Sequence, residues 1–110
     1  MQIRIEENSG VSICRVKGDI DINTSPEVKK FLEPVIRGKK NKVMIDFSEV
    51  NYVDSSGLAT LVEVLKNMKL YGGKLKLVSL SSKVMGLFEI TKLNKLFDIK
   101  TDENSALSSF

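Results

Sequence analysis

The run Lys42-Val43-Met44-Ile45-Asp46-Phe47 constrains the fold more than any other stretch of the chain. Neighbouring side chains of a strand point to opposite faces, so a near-continuous apolar run must be covered on both. That predicts a central strand, and a sheet with helices packed on it is the architecture that supplies such cover.

The segments around it fit that frame. Residues 2–7 and 11–17 read as two strands, and Asn8-Ser9-Gly10 between them is turn chemistry, giving a β-hairpin. Thr24-Ser25-Pro26-Glu27 reads as a helix start, with Thr24 and Glu27 as a capping box and Pro26 in the first turn. Val28, Phe31, Leu32 and Val35 then recur at helical spacing as a buried stripe. Pro34 inside this helix removes a hydrogen bond, so a kink or an early end is expected there. After the central strand, a loop through Glu49–Val53 leads to Asp54-Ser55-Ser56-Gly57. A long helix follows, with Leu58, Leu61, Val62, Leu65 and Met68 on its core stripe. Gly72-Gly73 provides a left-handed end to it. Residues 74–78 form a strand. Ser81 or Ser82 caps a helix that carries Val84, Leu87 and Phe88, residues 97–100 form a short strand, and residues 102–108 close the chain as a helix.

The order is ββαβαβαβα. Helical crossovers join parallel strands and the hairpin joins antiparallel ones, so the fold class is α/β with a mixed, mostly parallel sheet and helices packed on it. With 110 residues the chain can bury one adequate core without disulfides or metals, so residues 1–110 are expected to form one domain. No apolar run approaches the ~20 residues that span a bilayer, and the N-terminus alternates apolar and polar residues without a signal-peptide core. A cytoplasmic location is the expectation.

Composition narrows the chemistry. There is no histidine and one cysteine, Cys14, in an apolar-rich strand. Histidine-based nucleophilic triads, histidine-ligated zinc, cysteine zinc clusters and an intrachain disulfide are thereby excluded. Neither GxGxxG after a strand nor GxxxxGK[ST] occurs, so no enzyme activity and no cofactor are expected. Glu6-Glu7 with Asp46 could suggest a phosphoaspartate receiver, but the acidic pair enters a hairpin rather than ending a strand beside the aspartate. The net charge of +3 is a mild bias, and its lysines gather at helix ends without interleaved aromatics. A solvated basic face explains them better than nucleic-acid binding.

Asp54-Ser55-Ser56-Gly57 is the one concentration of small polar groups at a helix N-terminus. One of the serines could serve only as an N-cap, worth about 1 kcal/mol. Alternatively, a hydroxyl here is exposed, rigidly placed, and beside a dipole that tolerates phosphate.

Three blocks carry a family resemblance. These are Gly18-Asp19-Ile20-Asp21; Val43-Met44-Ile45-Asp46-Phe47-Ser48 followed by Tyr52-Val53-Asp54-Ser55-Ser56-Gly57-Leu58; and Gly72-Gly73 followed by Val84, Leu87-Phe88, Leu93 and Leu96-Phe97. Across residues 3 to 105 the chain resembles the single-domain anti-sigma factor antagonists of bacteria, within the STAS family. Pro34 is a local departure from that pattern. The resemblance implies a regulator whose unphosphorylated form binds an anti-sigma factor and frees a sigma factor. It implies two partners, an anti-sigma factor with serine kinase activity and a metal-dependent serine phosphatase, and neither direct nucleic-acid nor membrane binding. It implies Ser55 as phosphoacceptor, with Asp21, Asp54, Ser55, Ser56 and Gly57 forming the partner-contacting surface. A second class within the family, subunits of stressosome-like or lipid-transport assemblies, would use the same motif structurally.

Overall fold

A computed structural model describes residues 1–110. The apolar run is strand β3 (Lys42–Glu49), two residues longer than the sequence suggests and third of five in a sheet ordered β1-β2-β3-β4-β5. β1 (Gln2–Asn8) and β2 (Val11–Lys17) form an antiparallel hairpin, while β2–β3, β3–β4 and β4–β5 are parallel. β4 spans Lys74–Val78 and β5 only Asp98–Lys100. The hairpin turns through Ser9 and Gly10, both at positive φ, the conformation a two-residue turn between twisted strands requires.

The helices divide between the two faces. Helices α1 (Ser25–Arg37), α2 (Ser55–Lys69) and α3 (Ser82–Ile90) cover one face. There Cys14, Val16, Val43, Ile45, Phe47, Leu75 and Leu77 of the strands meet Val28, Leu32, Leu61, Leu65, Met68 and Phe88. Phe88 stands edge-on to both Phe47 and Phe97, with ring centroids 6.5 and 5.6 Å apart. The opposite face is covered only by the short helix α4 (Glu103–Ser108), where Val11, Ile13, Met44, Val78 and Ala106 pack. Both faces of β3 are therefore apolar because both are covered, unequally. Cys14 is buried in the larger core, and burial pushes its thiol up to about 12, so it stays protonated.

Under α4 the sheet also carries charge. Arg15 donates to Glu6, Asp46 and Glu103 at 2.8–2.9 Å, and these bonds raise its already high pKa. Asp46 is thus an internal ion-pair partner on the α4 face. Lys76 is buried against the Ala106 carbonyl and the Ser109 hydroxyl, and desolvation lowers its pKa.

Several local expectations are corrected. α1 does not end at Pro34 but runs on to Arg37. Pro34 lies on the exposed face, so the carbonyl its ring leaves without an N–H donor can turn to water. Phe31, expected on the buried stripe, is 43% exposed. On α2, Val64 is buried where Val62 was expected, and Val62 is only partly covered. Phe97 precedes β5 rather than starting it, and a 3₁₀ turn, Leu93–Lys95, fills the preceding stretch. The Thr24–Glu27 capping box does not form. Thr24 makes no side-chain cap, and its hydroxyl instead donates to the Asp19 carbonyl at 2.6 Å and accepts from the Asp21 amide at 2.9 Å.

Candidate functional site

The motif at residues 54–57 is positioned by two chain segments that run side by side beyond the carboxyl ends of β2 and β3. Past the strands, Ile20 and Val53 form a single parallel bridge. The amides of Gly18 and Ile20 donate to the carbonyls of Glu49 and Tyr52 at 3.0 and 2.9 Å, and the Asp54 amide donates to the Ile20 carbonyl at 3.1 Å. The turn after β2 and the start of α2 therefore form one rigid unit.

Asp54, rather than either serine, is the N-cap of α2. Its Oδ1 accepts from the Gly57 amide at 2.9 Å, and its Oδ2 accepts from the Ile22 amide at 3.0 Å. The carboxylate gives each donor its own oxygen, one to its own helix and one to an amide 32 residues away, whereas a serine side chain carries a single oxygen. Asp54→Ala removes both acceptors, leaves two amides without partners, and should lower stability by ~2 kcal/mol in a denaturant titration. Asp54→Asn, which keeps one side-chain oxygen, should recover about half of that loss.

Gly57 is required by space. A Cβ here would lie 2.5 Å from the Ile20 carbonyl oxygen and 2.9 Å from side-chain carbons of both Ile20 and Val53. The carbonyl cannot retreat, because it also accepts from the Asp54 amide. Alanine would raise helix propensity by up to ~1 kcal/mol, but overpacking against fixed backbone costs roughly 1–3 kcal/mol or more. Gly57→Ala should therefore lower the melting temperature, against the usual direction for glycine-to-alanine in a helix.

Ser55 and Ser56 occupy the first two helical positions. Ser55 is exposed and Ser56 half-buried, and neither hydroxyl belongs to the cap network. Asp21 lies in the neighbouring turn. Its Oδ1 accepts from the amides of Asn23 and Thr24 at 2.9 and 3.1 Å, and its carbonyl accepts from Ser25 at 2.7 Å. Asp21 therefore caps the chain entering α1, and its turn joins the motif through the Ile22–Asp54 bond.

Beside Ser55, between the start of α2 and α3, runs a groove of about 540 Å³. Tyr52, Val53, Lys83, Leu87 and Ile90 are among its lining residues, and the Lys83 ammonium lies 5.6 Å over the Tyr52 ring. Ile90 is 82% exposed and Ile22, in the Asp21 turn, 68% exposed. Sequence analysis did not single out Tyr52, Lys83, Ile90 or Ile22 as site residues. They fall outside every periodic apolar stripe, which by itself does not reveal that Tyr52, Lys83 and Ile90 line one groove.

No group of three or more acidic or cysteine side chains is placed to hold a metal ion, and no helix is long and apolar enough to cross a membrane.

Comparison with known proteins agrees with this architecture. The STAS domain family matches residues 2–106. The anti-sigma-B factor antagonist of Listeria monocytogenes is 42% identical over 89 residues, covering 80% of this chain and 77% of that protein. The anti-sigma-B factor antagonist of Bacillus subtilis is 31% identical over 99 residues, covering 90% of each. The crystal structure of an anti-sigma factor antagonist from Mycobacterium paratuberculosis superposes with a TM-score of 0.90 at 25% identity, over 98% of this chain and 92% of that one. The chain belongs to the STAS domain family.

Proposed function

We propose that this protein is an anti-sigma factor antagonist switched by phosphorylation of Ser55. In the unphosphorylated state it binds an anti-sigma factor that is also a serine kinase, and so releases a sigma factor. The names of its relatives support the coarse reading. The observation that carries the switch is Ser55 itself, exposed at the first position of α2, on a backbone that Asp54 and Gly57 hold rigid, next to an open apolar groove.

In this reading the kinase supplies ATP and the base. The Ser55 oxygen attacks the γ-phosphorus, its proton passes to the kinase, and ADP leaves. A phosphatase returns the hydroxyl by hydrolysis with water. The residues of this chain position the acceptor and do not catalyse, so the protein is not an enzyme and carries no cofactor. It acts as one domain in the cytoplasm, without touching nucleic acid or membrane. Phosphate adds about −1.5 to −2 charges. At the N-terminus of α2 the helix dipole tolerates that charge, so the fold persists. At an interface shaped around a neutral hydroxyl and the apolar Tyr52, Leu87 and Ile90, the same charge must be desolvated beside Asp54. A penalty of ~3 kcal/mol would weaken the complex more than a hundredfold. Asp21, Asp54, Ser55 and Ser56 thus contribute the surface, while Gly57, buried against Ile20 and Val53, contributes its rigidity and not a contact.

The test mixes the chain with the anti-sigma factor of its own organism. Without ATP a stable complex should form and sigma factor be displaced. With ATP the chain should gain one phosphate and leave the complex, and a metal-dependent serine phosphatase should restore binding. A chain that neither binds nor is modified would overturn the proposal.

A further inference from the structure

The two edges of the sheet differ. β5 is three residues long, whereas β1 is seven and pairs only with β2. Short edge strands offer little to another chain, but a long regular edge is a template for strand addition. β1 holds no proline, and the irregularity of the sheet falls between β2 and β3.

The hairpin register determines which groups of β1 are free. Asn8 and Val11 flank the two-residue turn and exchange hydrogen bonds. Alternation along an antiparallel ladder then turns the main-chain groups of Gln2, Arg4, Glu6 and Asn8 toward β2 and leaves those of Ile3, Ile5 and Glu7 facing outward. On the sheet faces, Ile3 and Ile5 pack toward α1, while Arg4 and Glu6 project on the other side.

We propose that β1 is a self-association edge, through which a second copy of this chain pairs antiparallel about a two-fold axis at Ile5. In that register Ile5 opposes the partner's Ile5, and Ile3 opposes the partner's Glu7. The outward groups then meet as hydrogen-bonded pairs, about six main-chain bonds in all. Arg4 opposes the partner's Glu6, and Glu6 the partner's Arg4, at the non-hydrogen-bonded positions where side chains come closest. The segment Gln2-Ile3-Arg4-Ile5-Glu6-Glu7-Asn8 is self-complementary in charge only about Ile5. Centring on Glu7 would set that carboxylate against its own copy, and centring on Ile3 would leave Arg4 opposite the partner's Gln2. The apolar surface agrees with this choice. Phe31, 43% exposed, lines a groove of about 370 Å³ along β1 with Ile5, Lys30 and Pro34. A two-fold through Ile5 brings two such grooves together beside the joined strands. Ser55 lies at the carboxyl ends of β2 and β3 and so stays free in each copy.

Sedimentation equilibrium of the full chain up to about 1 mM is the test, and it needs no other protein. A monomer–dimer equilibrium is expected. Ile5→Pro removes an amide that the hairpin does not use, so the monomer should keep its circular dichroism while dimer affinity falls roughly tenfold or more. Arg4→Glu and Glu6→Arg, each alone, should abolish self-association by placing like charges opposite. Mixed in equal amounts they should form a dimer of one copy each, since both cross pairs are then of opposite sign. Should Ile5→Pro or Glu6→Arg fail to fold, Arg4→Glu changes only an exposed side chain and still decides the matter. A chain that is monomeric throughout, or a dimer indifferent to these variants, overturns the proposal.

Discussion

Leu61→Ala should lower the free energy of unfolding by ~2–5 kcal/mol, the range for emptying a packed leucine site. Leu61 is fully buried in the middle of α2, within the core of 21 residues on the three-helix face. Collapse around the vacancy is restricted, because α2 is fixed at its start by the Asp54 cap and at its end by the Gly73 amide donating to the Met68 carbonyl at 2.9 Å. Alanine is a marginally better helix former than leucine, which offsets only a few tenths of a kcal/mol. Val62→Ala, one residue along and only partly covered, should cost ~1 kcal/mol or less. Urea unfolding of both variants reads the contrast. Equal losses, or a Leu61→Ala loss under half a kcal/mol, would show that α2 does not pack as described.

The same helix shows what was legible in the sequence. Element order, the central strand and the start of α2 were readable because they rest on periodicity and local chemistry. The apolar run of β3 and the stripe Leu58, Leu61, Leu65 and Met68 carry their own period. What failed depended on contacts across the chain. Two serines in the first turn looked like the cap, but the Ile22 amide, 32 residues before Asp54, needs the second oxygen that only the carboxylate has. Thr24 looked like the start of a capping box until Asp19 and Asp21 engaged its hydroxyl. Phe31 satisfies the helical period of α1, yet it sits over the edge of β1, where the sheet ends and nothing covers it. Pro34 reads as a helix breaker, and the rule is softened here because Pro34 lies on the exposed face of α1, where a freed carbonyl can be hydrated. In each case a local rule was correct in form and was overridden by a partner that local spacing does not encode.

The cap held by Asp54 also bears on the proposed choice of Ser55 over Ser56. Because Asp54 holds the cap, Ser55 and Ser56 are both released from structural duty, and exposure separates them. Ser55 presents its hydroxyl at the outermost turn and lines the groove, whereas Ser56 is half-buried and lines none of it. Ser55→Ala should therefore fold with a loss under ~1 kcal/mol, since no cap is removed, and should still bind the anti-sigma factor. It should take up no phosphate, a complete loss of the modification. Ser55→Asp should fold at least as well as wild type, because a carboxylate suits the first turn of a helix, yet bind the partner more weakly. That opposition of stability and affinity separates an interfacial residue from a structural one, for which both would move together. Ser56→Ala should be phosphorylated still, if more slowly, with stability within ~1 kcal/mol of wild type. Intact-mass spectrometry after incubation with kinase and ATP, followed by peptide mapping, reads the modification, and titration calorimetry reads the binding. Phosphate found on Ser56, or stoichiometric phosphate on the Ser55→Ala chain, would contradict the assignment, because the acceptor would then be the half-buried serine that does not line the groove.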